Sequence, residues 1–219
     1  MRVREFMSTN VITVSSHTSI VEARKFMVVH RVRRLPVVDK GKLVGMIGFR
    51  KISEATPSTA TTLSVWEMNH LVAKMTVAEL MRKNIITVTP DTTAESALAI
   101  AQENKVGALP VMDNGYLVGI VTTNDFVYRI MNPMLGLGKP GVRIHIFDCG
   151  ETRQIEEAIS VINKNDLRIE AVHLDDSAER ETRDLIVQLN TTDPAPVINN
   201  LTERGYTVEI RERKSWPIP

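Results

Sequence analysis

Hydrophobic and polar positions along this chain fall into two periods, and they do so twice in the same order. Residues 10–14 and 84–88 alternate and predict short strands. Each is followed by a helix signal, Ser19 with Glu22 and Thr92 with Glu95, the spacing of a capping box. Apolar residues then recur at helical spacing: Ala23, Phe26 and Met27 in one copy, and Ala94, Ala97, Ile100 and Ala101 in the other. Strands follow at 35–39 and 43–47, turning at Lys40-Gly41; the second copy turns at Asn114-Gly115, a strong hairpin signal. A last helix begins near Arg50 in one copy and Asn124 in the other. The unit reads β-α-β-β-α. A shift of 74 superposes the copies without a gap, with 19 of 52 positions identical from Met1 to Ile52. A gapless repeat of that length is one structural unit used twice.

Between and after the copies the pattern changes. Residues 55–62 (ATPSTATT) are a polar linker, and 64–74 predict a helix with Val65, Met68 and Val72 in one stripe. Trp66 at the edge of that stripe is expected at an internal or subunit interface. Residues 131–141 are rich in Gly and Pro. Beyond them come a strand (142–147), a helix (153–165, with Ile155, Ala158, Ile159 and Ile162 inward), a strand (169–175) and a strand (181–189). Asp193-Pro194 is then read as an N-cap with Pro at the first helical position, and the helix stops at Gly205. Tyr206, Val208 and Ile210 close with a strand. The order βαββαβ predicts a ferredoxin-like domain, so the fold class is α/β (α+β). The expected domains are 1–54, a linker and helix at 55–74, 75–132, a linker at 133–141, and 142–213.

Composition narrows the function classes. Hydrophobic residues make up 43% and charged residues 24%, ordinary for a globular protein, and the net charge is +1. That balance gives no global attraction to nucleic acid or an anionic membrane, so any phosphate affinity must be local. One cysteine, Cys149, excludes an internal disulfide, and it has no evident activating partner. No signal-peptide pattern and no membrane-length apolar run is present, so a cytoplasmic location is expected. His17, His30, His70, His145 and His173 lack metal-site spacing, and Asp175-Asp176 with Glu179 and Glu181 reads as a polar turn. There is no phosphate-loop or dinucleotide glycine motif, no catalytic group and no required cofactor.

The second copy ends its last strand with GIVTTND, 119–125. A carboxylate accepts hydrogen bonds from vicinal hydroxyls such as a ribose diol, while hydroxyls and free N–H groups at a helix start suit a phosphate. Asp125 would then hold ribose and Thr122 phosphate, with Asn124 beside them and Gly107, Ala108, Leu109 and Pro110 as a flat apolar slot for a base. The same four residues are also what a helix N-terminus favours for capping alone.

The paired units, LPVVD…LVGMI with LPVMD…LVGIV, together with GIVTTND, resemble the CBS domain family over residues 1–132. The resemblance implies a pseudo-symmetric pair with two clefts that binds an adenine nucleotide (AMP, ADP or ATP) or S-adenosylmethionine as a regulatory ligand. It adds Ile86 and Thr87 to the expected nucleotide contacts. The tail, with Asp148-Cys149-Gly150 at its first strand–helix turn, resembles the ACT domain. The combined order is similar to the acetoin-utilisation type of CBS protein. Unit one departs from the motif: Gly48 stands at the place of Thr122, Lys51 at Asp125, and Arg33 and Arg34 at Gly107 and Ala108. Its cleft is expected to bind nucleosides poorly. Arg31, Arg33, Arg34, Arg50 and Lys51 either reach the phosphates of a ligand in unit two or form a solvated or ion-paired basic surface. The expected function is a nucleotide-sensing regulator acting as a homodimer or larger on a partner or pathway enzyme. The alternatives are a structural dimerisation module with empty clefts and an enzyme of acetoin metabolism.

Overall fold

A computed structural model describes residues 1–55, 74–176 and 181–211. The expected Trp66 helix, apart from Lys74, lies outside these residues, as do His70, Ser177 and Glu179. The chain divides into two compact units, Met1–Phe126 and Val127–Pro219.

The first unit is two copies of one motif. Copy one contains α1 (Val3–Phe6), α2 (Ile20–Val29), β1 (Arg34–Asp39), β2 (Lys42–Gly48) and α3 (Phe49–Ala55). Copy two contains α4 (Val77–Leu80), α5 (Ala94–Glu103), β3 (Ala108–Asp113), β4 (Tyr116–Thr122) and α6 (Thr123–Asp125). The helical stretch beginning at α6 continues as π-helical turns over Phe126–Met131 and a last turn, α7 (Asn132–Met134). Each hairpin is antiparallel, with a bulge at the same place, between Val37 and Val38 and between Val111 and Met112. Both turns have two successive left-handed residues, Lys40-Gly41 and Asn114-Gly115, the type I′ geometry that matches strand twist.

Two expectations are corrected here. The strands at 10–14 and 84–88 reduce to single parallel bridges, Val14 to Val37 and Val88 to Val111. Val14 donates to the Pro36 carbonyl (3.1 Å) and accepts from Val38 N–H (2.8 Å). The next rung upstream would need an N–H from Pro36, which proline lacks; Pro110 stops the second copy in the same way. The cap of α5 is Thr93, whose side chain accepts from Ser96 N–H at 3.2 Å, whereas Thr92 bonds back to Thr89. Thr93 is the true mate of Ser19, which caps α2 through Glu22 N–H.

The copies exchange their first segments. Val3 N–H bonds to Thr92 O and Ser8 pairs with Ile120, while Val77 N–H bonds to Thr18 O and Arg82 pairs with Met46. Val77 therefore belongs to the core of copy one, with Ile20, Met27, Leu35 and Ile47. Reciprocally, Phe6 meets Phe126 edge-on, with ring centroids 5.3 Å apart. Glycine leaves room for a methionine where each arm crosses: a Cβ on Gly45 would lie 2.4 Å from Met81 Sδ, and one on Gly119 would lie 2.6 Å from Met7 Sδ.

In the second unit the chain runs β5 (Val142–Ile146), α8 (Thr152–Lys164), β6 (Ile169–Asp176), β7 (Arg183–Leu189), α9 (Ala195–Glu203) and β8 (Val208–Arg211). The element order is the predicted one. The sheet order is β6-β7-β5-β8, all antiparallel. Ile144, Ile146, Leu185 and Val187 face α8 and α9 through Ala158, Val161, Ile162, Val197 and Leu201. The inward residue on α8 is Val161 rather than Ile159, which is 40% exposed. At the start of α9, Asp193 Oδ1 accepts from Ala195 N–H at 3.1 Å, and Pro194 is the N-cap residue, one position before the first helical residue. On the opposite sheet face, buried His145 and Asp184 meet at 2.9 Å, and the other Asp184 oxygen accepts from Asp148 N–H.

Candidate functional site

β4 ends at Thr122, and the chain turns there into α6. The Thr122 N–H and hydroxyl both donate to Asp125 Oδ2, at 2.8 and 2.7 Å. Asp125 is thus a first-turn capping acid and is also fixed in orientation. The single hydroxyl proton of Thr122 is spent on this bond, so in this conformation the hydroxyl can only accept from any further partner. The Thr123 N–H lies 3.3 Å from Gly107 O, tying the turn to the start of β3.

Opposite this turn stands the entry to β1. Arg31, Arg33 and Arg34 line the same cavity of about 700 Å³ as Thr122, Thr123, Asn124, Asp125 and Gly107. The size is that of a small-molecule site. The apolar lining comes from Val11, Ile12, Val32, Pro36 and Ile120, and the exchanged arm adds Ser8 and Asn10. One carboxylate and three guanidinium groups line the cavity, so its charged lining is net positive.

Sequence reasoning placed several residues elsewhere. Ile86 and Ala108 line a different cavity of about 200 Å³, and Gly107 and Arg34 border both. Thr87 is exposed and lines neither cavity. Leu109 and Pro110 are buried by β3, and Leu109 does not line the larger cavity; with Gly107, Ala108, Thr122 and Thr123 it borders a third cavity of about 350 Å³. Arg50 and Lys51 are exposed on the first turn of α3 and line neither cavity; Arg50 instead pairs with Glu54 at 2.7 Å. Val11, Ile12, Pro36 and Ile120 were missed because arm exchange is not visible in hydrophobic period. Its trace in the sequence is the Gly kept at 45 and 119.

Arg34 spans the copies. Its Nη1 lies 3.3 Å from Gly107 O, and a Cβ at 107 would fall 2.6 Å from its Nη2. Glycine at 107 is what lets the guanidinium lie across the boundary between the cavities. Among the described residues no three His, Cys, Asp or Glu side chains converge on a metal position, and no helix is long and apolar enough to cross a membrane. Cys149 is buried; burial foremost, then the Glu157 charge, pushes its thiol up to about 11.

The family model for the CBS domain matches residues 3–57 and 77–132. An inosine-5′-monophosphate dehydrogenase of Korarchaeum cryptofilum is 32% identical over 167 residues, covering 74% of this chain and 32% of that protein. The chain therefore spans about a third of that relative. The CBS domain-containing protein YhcV of Bacillus subtilis is 30% identical over 130 residues, covering 59% of this chain and 86% of YhcV. The crystal structure of a candidate acetoin utilization protein (AcuB) from Vibrio cholerae aligns with a TM-score of 0.51 at 26% identity, over 60% of this chain and 91% of the other.

Proposed function

The chain belongs to the CBS domain family, and from that premise we propose that it is a regulatory sensor whose larger cavity binds an adenine nucleotide of the AMP, ADP or ATP class. One observation carries the reading: a single cavity of about 700 Å³ gathers Asp125, Asn124 and Thr122 from one copy against Arg31, Arg33 and Arg34 from the other. In this reading Asp125 accepts from the ribose diol, the arginines meet the phosphates, and the base lies on Val11, Ile12, Pro36 and Ile120. S-adenosylmethionine fits the diol contact but leaves the arginines without an anion beyond its carboxylate.

The βαββαβ order and antiparallel sheet of the second unit support an ACT-like regulatory domain. The likeness to the Vibrio cholerae structure supports a link to acetoin utilisation through a partner or pathway enzyme rather than through catalysis by this chain. A homodimer or larger assembly and a cytoplasmic location complete the reading.

The test is calorimetric titration of AMP and ATP into the parent and Asp125→Asn, which keeps the side-chain shape at the helix start. Charged hydrogen bonds contribute about 1.5–3 kcal/mol each, so affinity should fall roughly ten- to a hundred-fold. A folded variant that binds both nucleotides as well as the parent sinks the assignment.

A further inference from the structure

We propose that the third cavity, inside copy two and apart from the ribose anchor, binds a neutral aromatic ring compound. Its volume of about 350 Å³ suits a small-molecule site. Its apolar walls come from Leu98 and Ala101 on α5, Leu109 on β3, Val121 on β4, and Phe126 after α6, with Thr123 beside them. Neither Asn124 nor Asp125 lines it.

Copy one shows what this space holds when the chain fills it. The shift of 74 pairs Ala101 with Met27, Thr123 with Phe49 and Leu98 with Arg24. Met27 is buried, and Phe49 packs against the core of copy one. The Arg24 guanidinium lies over the Phe49 ring, 5.7 Å from its centroid. A thioether chain and an aromatic ring thus close the space between the first and last helices of that copy. In copy two they are cut back to the methyl of Ala101 and the short side chain of Thr123. The frame around them is kept, because Leu109 and Val121 are as buried as Leu35 and Ile47. Phe126 is larger than its mate Ile52, but its ring is engaged edge-on with Phe6 and the cavity stays open.

An apolar cavity left empty costs stability in proportion to its volume. A planar ring would recover contacts with Leu98, Leu109 and Val121 and meet the Phe126 ring. Charge selects against an ionic ligand: among the described residues no acid lines the cavity, and its one cation, Lys105, is exposed. Gln102 and Thr123 supply hydrogen-bonding groups for a ring N–H or hydroxyl. The helix differs here too. α3 is α-helical from Phe49 to Ala55, whereas the stretch in copy two turns π-helical at Phe126, on the cavity wall. Such turns are frequent at functional sites.

The experiment titrates the full chain with indole, following the methyl resonances of Leu98, Leu109 and Val121, none of which lines the larger cavity. Indole should shift them saturably, and at least about three-fold more tightly than cyclohexanol or indole-3-carboxylate. Ala101→Met, which restores the residue of copy one, should raise the melting midpoint and weaken indole at least about ten-fold. Ala101→Leu, a smaller filling, gives the same reading if Ala101→Met does not fold. Absence of a saturable shift, equal binding of either comparison compound, or unchanged indole affinity in a folded filled variant overturns the proposal. So does displacement of indole by AMP, which would make the cavity part of the nucleotide site. Indole binding that weakens as the protein is concentrated also overturns it, because a second copy then fills the space. AMP titrated alone reports on Ile12 and Ile120, so a failure of the nucleotide reading is seen apart from a failure of this one.

Discussion

At Cys149 a single side chain shows how burial sets chemistry. With its thiol pushed up to about 11 by burial and by Glu157, about one molecule in a thousand carries a thiolate at pH 8, against roughly a quarter for an unperturbed cysteine. Alkylation of Cys149 by iodoacetamide at pH 8 should be at least about a hundred-fold slower in the native chain than in urea. Equal rates, within a few-fold, would mean the thiol is accessible and ionised. The sign of the stability effect follows. The folded thiol ionises later than the unfolded one, so the contribution is full below the unfolded value and is lost as pH rises toward about 11. At Asp125 both readings open in the sequence describe the same carboxylate. It caps the helix through Thr122 and lines the same cavity as Arg31, Arg33 and Arg34. Residue type and spacing announced that carboxylate; they did not announce that its own threonine already occupies it.

Between elements, the arm exchange helps shape the larger cavity, because α1 leads Ser8 onto β4 of the other copy and Asn10 follows into the cavity lining. Gly119→Ala tests this. The added methyl would lie 2.6 Å from Met7 Sδ and 3.2 Å from Ser8 O, so the arm must lift or the methionine must turn. Overpacking of this kind costs about 1–3 kcal/mol, read as a lower urea midpoint. Met7→Ala alone leaves a gap, but in Gly119→Ala/Met7→Ala the two changes should compensate, giving a coupling of at least about 0.5 kcal/mol. Strict additivity would place the clash elsewhere. The elements themselves were largely legible: helices α2, α5, α8 and α9 and both hairpins follow from apolar period, capping and the Lys-Gly and Asn-Gly turns. What was not legible was tertiary. Pro36 and Pro110 cut the first strands to one rung, Ile159 was outvoted by Val161, and the segments at either copy's start crossed to the other copy, a pairing that no local period encodes.

On the scale of the whole chain, the core of copy one and the core of the second unit share no residue among those described. The core of copy one runs from Val14 to Val77, and that of the second unit from Ile144 to Leu201. The Gly/Pro-rich run at 131–141 marks where a helical stretch ends, whereas the compact units divide at Phe126 and Val127, because that stretch starts at Thr123 and passes through the division. Separate cores give separate cooperative transitions unless a large apolar interface couples them. Calorimetric melting of the full chain should therefore resolve two transitions. AMP at about a hundred times its dissociation constant stabilises the unit that binds it by about 2.7 kcal/mol. For a unit of this size that raises its midpoint by roughly 10 °C, and the other transition should stay within about 1 °C. If the nucleotide moves both transitions together, the sensor is energetically continuous with the second unit, and the signal then travels through unfolding cooperativity. If it moves neither, the larger cavity is not a nucleotide site. Movement of the first transition alone is the outcome expected of a sensor whose ligand stabilises one core and leaves the other to its own.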